Sequence, residues 1–497
     1  MKKGMNTKVV KNYINGQWKE ADYSALMDIE NPSTGEVIGS VPLSTATEAQ
    51  LAIEAASDAF SSWKDMPVSR RVAPLYKLAE LLRVNEEKIS RILSEEMGKS
   101  LPDARAEMKR AIENVEVACG MPVLQQGDKL IGSSYGIDGE VLNLPVGVFV
   151  MIAPFNFPAM VPFWFLPYAI ATGNTFILKP SEQVPLTMQF ITELIDQIGL
   201  PDGVYNLVNG DKVVADAFLE SNKVQGVSVV GSTPVSKLIA AKCVSSNKRF
   251  QAMGGAKNHL IAMPDARVDE VVRNMISSCY GCAGQRCMAS SAIVAVGDEM
   301  YKTICEKFIE ESGKVIVANP LDPEVADESM VMGPVISGKS KEFILNMIDT
   351  GVKEGATLAL DGRGLLVKGC ENGHFVGATV FTDVKPGMEI HKTEIFGPVV
   401  VILKADTLDD AIQIINDHQY GNGASIYTQN GYWVRKFKLE AQAGMIGINI
   451  GIPAPVAYLP FGGMKESQMS AIKAQGKAVI DFYTENKVIT ERYWTEE

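Results

Sequence analysis

Cys287 has the sequence setting that most suggests covalent chemistry. It lies in GCAGQRCMAS, with small residues around the thiol and Arg286 directly before it. A free thiol titrates at about 8.5 and must be helped to ionise, and small neighbours let substrate and backbone amides reach the sulfur. A buried, inert cysteine has the same local pattern. Asn156, between aromatics in APFNFPAM, can offer its amide to a developing oxyanion or close an Asx-turn before the next helix. Lys179 and Glu182 of ILKPSE follow a buried apolar run. They suit ribose hydroxyls, the carboxylate disfavouring a 2′-phosphate, or they form an ordinary surface salt pair. Ser232 follows VSVVG and opens a helix, which offers free amides to a pyrophosphate or simply a serine cap.

Other chemistries have weaker support. Cys279 and Cys282 form a CxxC with no second pair, and His259, His374, His391 and His418 lack the i, i+4 spacing of a helical zinc site, so no metal is expected. The net charge of −12 and the lack of a basic, aromatic-interleaved run exclude nucleic acid and anionic membranes as partners. No run reaches the roughly 18 apolar residues of a membrane span, and the N-terminus has no apolar secretory core. Seven scattered cysteines then read as reduced thiols. A cytoplasmic location is expected.

These residues need a scaffold, and the hydrophobic pattern supplies one. Between Thr45 and Asn114, apolar residues recur at three and four, predicting amphipathic packing helices. From Gly147 to Met263, Val/Ile-rich runs alternate with helical stretches, predicting a parallel sheet that binds nucleotides at the carboxyl ends of its strands. SSAIVAVG, EMYKTICEKFIEE, GPVVVILKA and LDDAIQIINDH predict a second α/β unit. A glycine-punctuated, alternating stretch from Asp128 to Leu144 predicts strands outside these layers, and the tail KAVIDFYTENKVITERYW alternates like a strand that could pair with an edge elsewhere.

In order along the chain, FNFP, KPSE, GS, GQRC, EIFGPV and FGGMKES resemble the motifs of the aldehyde dehydrogenase superfamily. The resemblance implies a Rossmann-like NAD-binding domain (1–127 and 145–257), an α/β catalytic domain (258–474) and a β-strand oligomerisation arm (128–144 and 475–497). It implies Cys287 as nucleophile and Asn156 as oxyanion donor. Lys179 and Glu182 would hold the adenosine ribose, Ser232 the pyrophosphate, and Glu394 the nicotinamide ribose, with Phe155 and Phe396 beside the cofactor. It also implies a homodimer or homotetramer.

One position departs from that pattern. Hydrolytic members carry a water-activating glutamate in ELGGK, whereas this chain reads QAMGGAKNH, with Met253 there. A thioether cannot accept a proton from water, so the acyl group must wait for a competent nucleophile such as the thiol of coenzyme A. The departure, with GQRCMA and AKNH, is similar to the CoA-acylating methylmalonate-semialdehyde dehydrogenases, which usually carry asparagine at that position. That likeness implies an aldehyde bearing a carboxylate, suited to the forked guanidinium of Arg286 and to Arg110, although a helix-surface ion pair accounts equally for Arg110. A hydrolytic dehydrogenase of another anionic aldehyde (carboxylated, sulfonated or phosphorylated) and a non-catalytic relative are the alternatives.

Overall fold

The computed structural model describes residues 8–328 and 330–494, so the ends of the expected first domain and arm, 1–7 and 495–497, lie outside the described residues. Two seven-stranded sheets organise the chain. The first runs Arg249–Met253, Val224–Val230, Val148–Ile152, Thr175–Lys179 and Tyr205–Leu207, all parallel, and is extended by antiparallel Asn12–Ile14 and Gln17–Lys19. Its strands are nearly continuous apolar runs because helices cover both faces.

The second sheet orders Thr357–Leu360, Thr379–Thr382, Val399–Ala405, Ser290–Val296, Asn258–Ala262, Gly423–Tyr427 and Met445–Ile448. All its pairings are parallel except the edge strand Thr357–Leu360. The expected extra-layer strands pair in a third sheet, where Ile137–Pro145 lies between Lys129–Ser134 and Thr484–Arg492. The tail departs from its purely strand-like reading: Ala478–Tyr483 forms a helix before the final strand. Val479, Ile480, Phe482 and Tyr483 bury the apolar side of that turn.

The predicted helical region holds four helices, Ala46–Trp63, Val68–Val84, Glu86–Met97 and Leu101–Cys119. The last begins with Ser100, whose hydroxyl accepts the Asp103 N–H at 3.2 Å, and proline occupies its first turn. Its buried stripe passes through Ala104, Met108, Ala111 and Val115, but Glu107 lies on it too.

The functional residues follow from this topology. Asn156, Lys179, Ser232 and Met253 all sit at or just beyond the carboxyl ends of strands in the first sheet. Cys287, Glu394 and Asn422 immediately precede strands of the second. The carboxyl edge of one sheet therefore faces the amino edge of the other, and the site lies between them.

Candidate active site

Cys287 emerges from a tightly wound loop. The turn Gly281–Gly284 puts Cys282 and Ala283 in the left-handed region at φ 52° and 53°, a strained choice for non-glycine residues. Gly281 is required because a Cβ there would lie 2.3 Å from the Arg286 guanidinium carbon. Beyond the turn, the Cys287 carbonyl accepts amide hydrogens from Asn258 at 2.9 Å and Asn422 at 2.8 Å. Asn258 also holds Ala289 O at 2.9 Å, fixing the loop at the residue just before the strand Ser290–Val296. The candidate nucleophile is thus fixed through its backbone.

The thiol is pushed up to about 12 by burial and then by the nearby Glu394 charge, while the amides of Cys287 and Met288 and the charge of Arg286 pull the other way. A cation arriving over the sulfur would lower it. Asn156 is 5% exposed, and its Nδ2 donates to Gln285 O at 3.0 Å, which leaves one amide hydrogen for an oxyanion. Lys99 Nζ grips the Asn156 carbonyl at 2.7 Å and pairs with Glu107, whose other oxygen accepts from the amides of Ala159 at 2.9 Å and Met160 at 3.0 Å. Both side chains of the pair are fully buried.

Lys99 and Glu107 were not singled out from the sequence. Their signal is Glu107 itself, a charge placed on an apolar helix stripe. Asn258 and Asn422 were also missed, the first inside the AKNH stretch already noted and the second inside YGNG.

Arg286 is 13% exposed and bound to Asp103 at 2.5 Å, with its Nε 3.3 Å from Cys282 Sγ. Burial opposes both charges, but their pairing outweighs it, holding Asp103 below and Arg286 above its usual range. The remaining N–H groups of the fork can serve a further anion. Arg110 lies on the helix surface, 45% exposed, paired with Glu113 at 2.8 Å. Glu113 in turn accepts the Ala457 N–H at 3.4 Å, which links this pair to the loop at 452–459.

The residues expected to face a cofactor lie at the same sheet edges. Lys179 Nζ, nearly buried, donates to Pro180 O at 2.9 Å and Glu182 at 3.2 Å. Ser232 caps the helix Thr233–Ser245 without a side-chain capping bond. Gly255 lets the Glu394 carboxylate approach, since a Cβ there would meet Glu394 Oε2 at 2.4 Å. Burial raises Glu394 to about 7, against the amide of Ala256 and the Lys257 charge. Phe396, at φ 53°, packs edge-on to Phe155 with centroids 5.8 Å apart. Helix-terminal amides, a glycine cradle, a buried ammonium and a carboxylate form a donor set that fits a dinucleotide.

Met253, 4% exposed, ends its strand and belongs to the apolar cluster of Met288, Met445 and Phe461, against which Cys287 packs. The histidine spacing misled in one respect: His259, His391 and His418 meet in the fold, with ring centroids 5.1–5.4 Å apart. Sequence separation hid this because the three precede or enter neighbouring parts of the second sheet. His259 and His391 share a ring-to-ring hydrogen bond and His418 donates to the His391 carbonyl, and among the described residues no group of three or more His, Cys, Asp or Glu side chains is arranged to hold a metal.

A cysteine loop, an adjoining amide donor and a dinucleotide cleft between two sheets agree with the family match: residues 18–489 match the aldehyde dehydrogenase family, and the chain belongs to it. Its fold is the mixed α/β aldehyde dehydrogenase fold. It is 43% identical over 487 residues to malonate-semialdehyde dehydrogenase 1 of Geobacillus kaustophilus, covering 98% of each chain. It is 44% identical to the malonate-semialdehyde dehydrogenase of Pseudomonas aeruginosa, covering 97% of this chain and 95% of the other. Among solved structures, methylmalonate-semialdehyde dehydrogenase from Oceanimonas doudoroffii superposes with a TM-score of 0.95 at 40% identity over 99% of both chains. A Sinorhizobium meliloti protein complexed with NAD gives 0.95 at 39% identity, again over 99% of both. Among the described residues, no helix is long and apolar enough to cross a membrane.

Proposed function

We propose that this chain oxidises malonate or methylmalonate semialdehyde with NAD and passes the acyl group from Cys287 to coenzyme A. The observation that carries the acyl-transfer step is Met253, a buried thioether of the apolar cluster against which Cys287 packs, standing where hydrolytic relatives place a base. The names of the similar enzymes support the substrate, and the NAD complex of the Sinorhizobium protein supports the cofactor.

The Cys287 thiolate attacks the aldehyde carbon, and the free Asn156 amide hydrogen with the Cys287 N–H holds the oxygen that becomes negative. NAD, when bound between Lys179, Glu182, Ser232, Phe155, Phe396 and Glu394, supplies the hydride acceptor. Loss of hydride leaves a thioester on Cys287. The carbon–carboxylate bond breaks with release of carbon dioxide, hydrated to bicarbonate, and the thioester enolate left behind takes up a proton from water at its α-carbon. The thiol of coenzyme A displaces Cys287 from the acyl carbonyl, giving acetyl-CoA or propionyl-CoA. Arg286, preset by Asp103, holds the carboxylate before it leaves, and Arg110 assists from the helix surface.

The proposed domains are 1–127 with 145–257 for the cofactor and 258–474 for catalysis, with 128–144 and 475–497 as an arm that joins subunits of a homodimer or homotetramer in the cytoplasm. The division follows the three sheets.

A hydrolytic reading has one observation in its favour. Glu394 is a buried carboxylate raised to about 7 whose charge reaches the Cys287 sulfur, as a general base would need. Steady-state NADH formation from malonate semialdehyde separates the two. The acylating enzyme turns over only with coenzyme A present and yields acetyl-CoA, whereas undiminished turnover without it, with release of free acid, rejects the proposal. Replacing Arg286 by alanine should raise KM for the semialdehyde far more than for propanal, and equal effects remove its assigned role.

A further inference from the structure

The turn that carries Glu394 is preceded by a helix of four residues, Glu389–Lys392, too short to satisfy its own carbonyls. Two other segments do so instead. Lys257 Nζ donates to Ile390 O at 2.8 Å and to Thr393 O at 2.9 Å. His418 Nε2 donates to His391 O at 3.2 Å, and Gln419 Nε2 to Lys392 O at 3.4 Å. At the other end the Glu354 carboxylate accepts the N–H groups of Glu389 at 2.6 Å and Ile390 at 3.3 Å.

The His391 ring, 3% exposed, reaches inward to His259, Nε2 to Nε2 at 2.9 Å. One ring carries the shared hydrogen and the other accepts it, so each imidazole must stay neutral for the bond to form. His391 is thus tied to His259, and Lys257, two residues earlier on the same segment, reaches the same turn with its ammonium. Asn258, between Lys257 and His259, is the residue that holds Cys287 O, and Asn422, four residues after His418, holds it again. Two short segments thus grip the glutamate turn and the nucleophile loop together.

We infer that His391 is a positioning residue for Glu394: its bond to His259 locks the 389–393 turn onto the Lys257–His259 segment and so keeps the carboxylate in register with Cys287. The inference rests on the reading that Glu394 borders bound NAD. Steady-state KM for NAD, the first-turnover NADH burst and iodoacetamide labelling of Cys287, all in the full-length enzyme, test it together.

His391→Phe keeps a ring but loses the hydrogen-bonding nitrogen, and it raises KM for NAD about five- to tenfold, the scale of one lost buried hydrogen bond. Labelling of Cys287 stays unchanged, because Asn258 and Asn422 still hold its carbonyl. His391→Gln carries an N–H donor to roughly the Nε2 position and restores the wild-type value, whereas the shorter His391→Asn does not. This polar pair decides the matter even where the Phe variant fails to fold. An unaltered KM in the Asn variant overturns the inference, and so does an equal slowing of Cys287 labelling, which marks a general loosening of the core. Glu394→Gln separates the layers. If it leaves KM for NAD unchanged, the reading of Glu394 fails and the inference with it; if it raises KM while His391→Asn does not, the inference alone fails.

Discussion

The Asn156 loop rests on a fully buried ion pair, Lys99 with Glu107, whereas the Glu394 turn across the cleft rests on Lys257 and three buried histidines. Burial first, and then mutual proximity of the rings, holds His259 well below its ordinary range and His391 at about 3; His418 falls to about 4 by burial and the nearby lysine charges. The histidines are therefore neutral at pH 7. Lys257 is itself lowered to about 7 by burial, so this support carries little fixed charge. The two supports should fail differently. An ion pair out of water tolerates loss of neither partner, because the survivor is left as an uncompensated charge. Neutral imidazoles lose only a hydrogen bond when altered, but they must not be protonated.

The largest effect should come from breaking the ion pair. Lys99→Met leaves Glu107 buried alone and should cost about 3–5 kcal/mol in urea unfolding. The Asn156 carbonyl also loses its donor, so kcat of the folded fraction should fall by about a hundredfold, the scale of a lost oxyanion donor. Adding Glu107→Gln should recover most of the stability but little of kcat. A single variant that costs less than about 1 kcal/mol would show that the pair is not the foundation of the loop.

How much of this could be read from the sequence follows from how each residue announces itself. Cys287, Asn156 and Glu394 stand in motifs whose small or aromatic neighbours are part of their chemistry. The first parallel sheet was legible because both its faces are covered and its strands are continuous apolar runs. Lys99, Glu107 and Asp103 were not, since a buried charge looks like a surface charge until its partner is known, and Arg286 meets Asp103 across 183 residues. The histidine cluster was hidden for the same reason: its members are joined by sheet order, and nothing local marks them. The helix Ala478–Tyr483 was missed because six residues are too few to display a helical period.

The histidine side of the comparison predicts a smaller, acid-dependent effect. His391 takes up its proton near pH 6.5 when unfolded but only near 3 when folded. The unfolded chain therefore binds more protons between those values, and the stability that depends on a neutral His391 is complete above about 6.5 and lost as pH falls toward 3. Glu96, raised to about 7 by burial, and Glu394 act with the opposite sign between about 4.5 and 7, so absolute slopes partly cancel. The difference between wild type and His391→Gln isolates the term. Wild type should lose about 1.4 kcal/mol per pH unit more than the variant between pH 6.5 and 4.5. Parallel curves in pH-dependent urea titrations would remove His391 from the neutral support.

The smallest effect lies outside both supports, at Met253. Its thioether is buried in the apolar cluster, so a side chain of similar volume should serve as well. Met253→Leu should cost less than about 1.5 kcal/mol by thermal unfolding. It should leave both the rate of acyl transfer and its dependence on coenzyme A unchanged, because neither side chain can activate water. A variant that stays folded yet loses acyl transfer tenfold would give the sulfur of Met253 a direct part in the chemistry. The apolar cluster would then no longer be an inert element outside the charge-held loop and the neutral one.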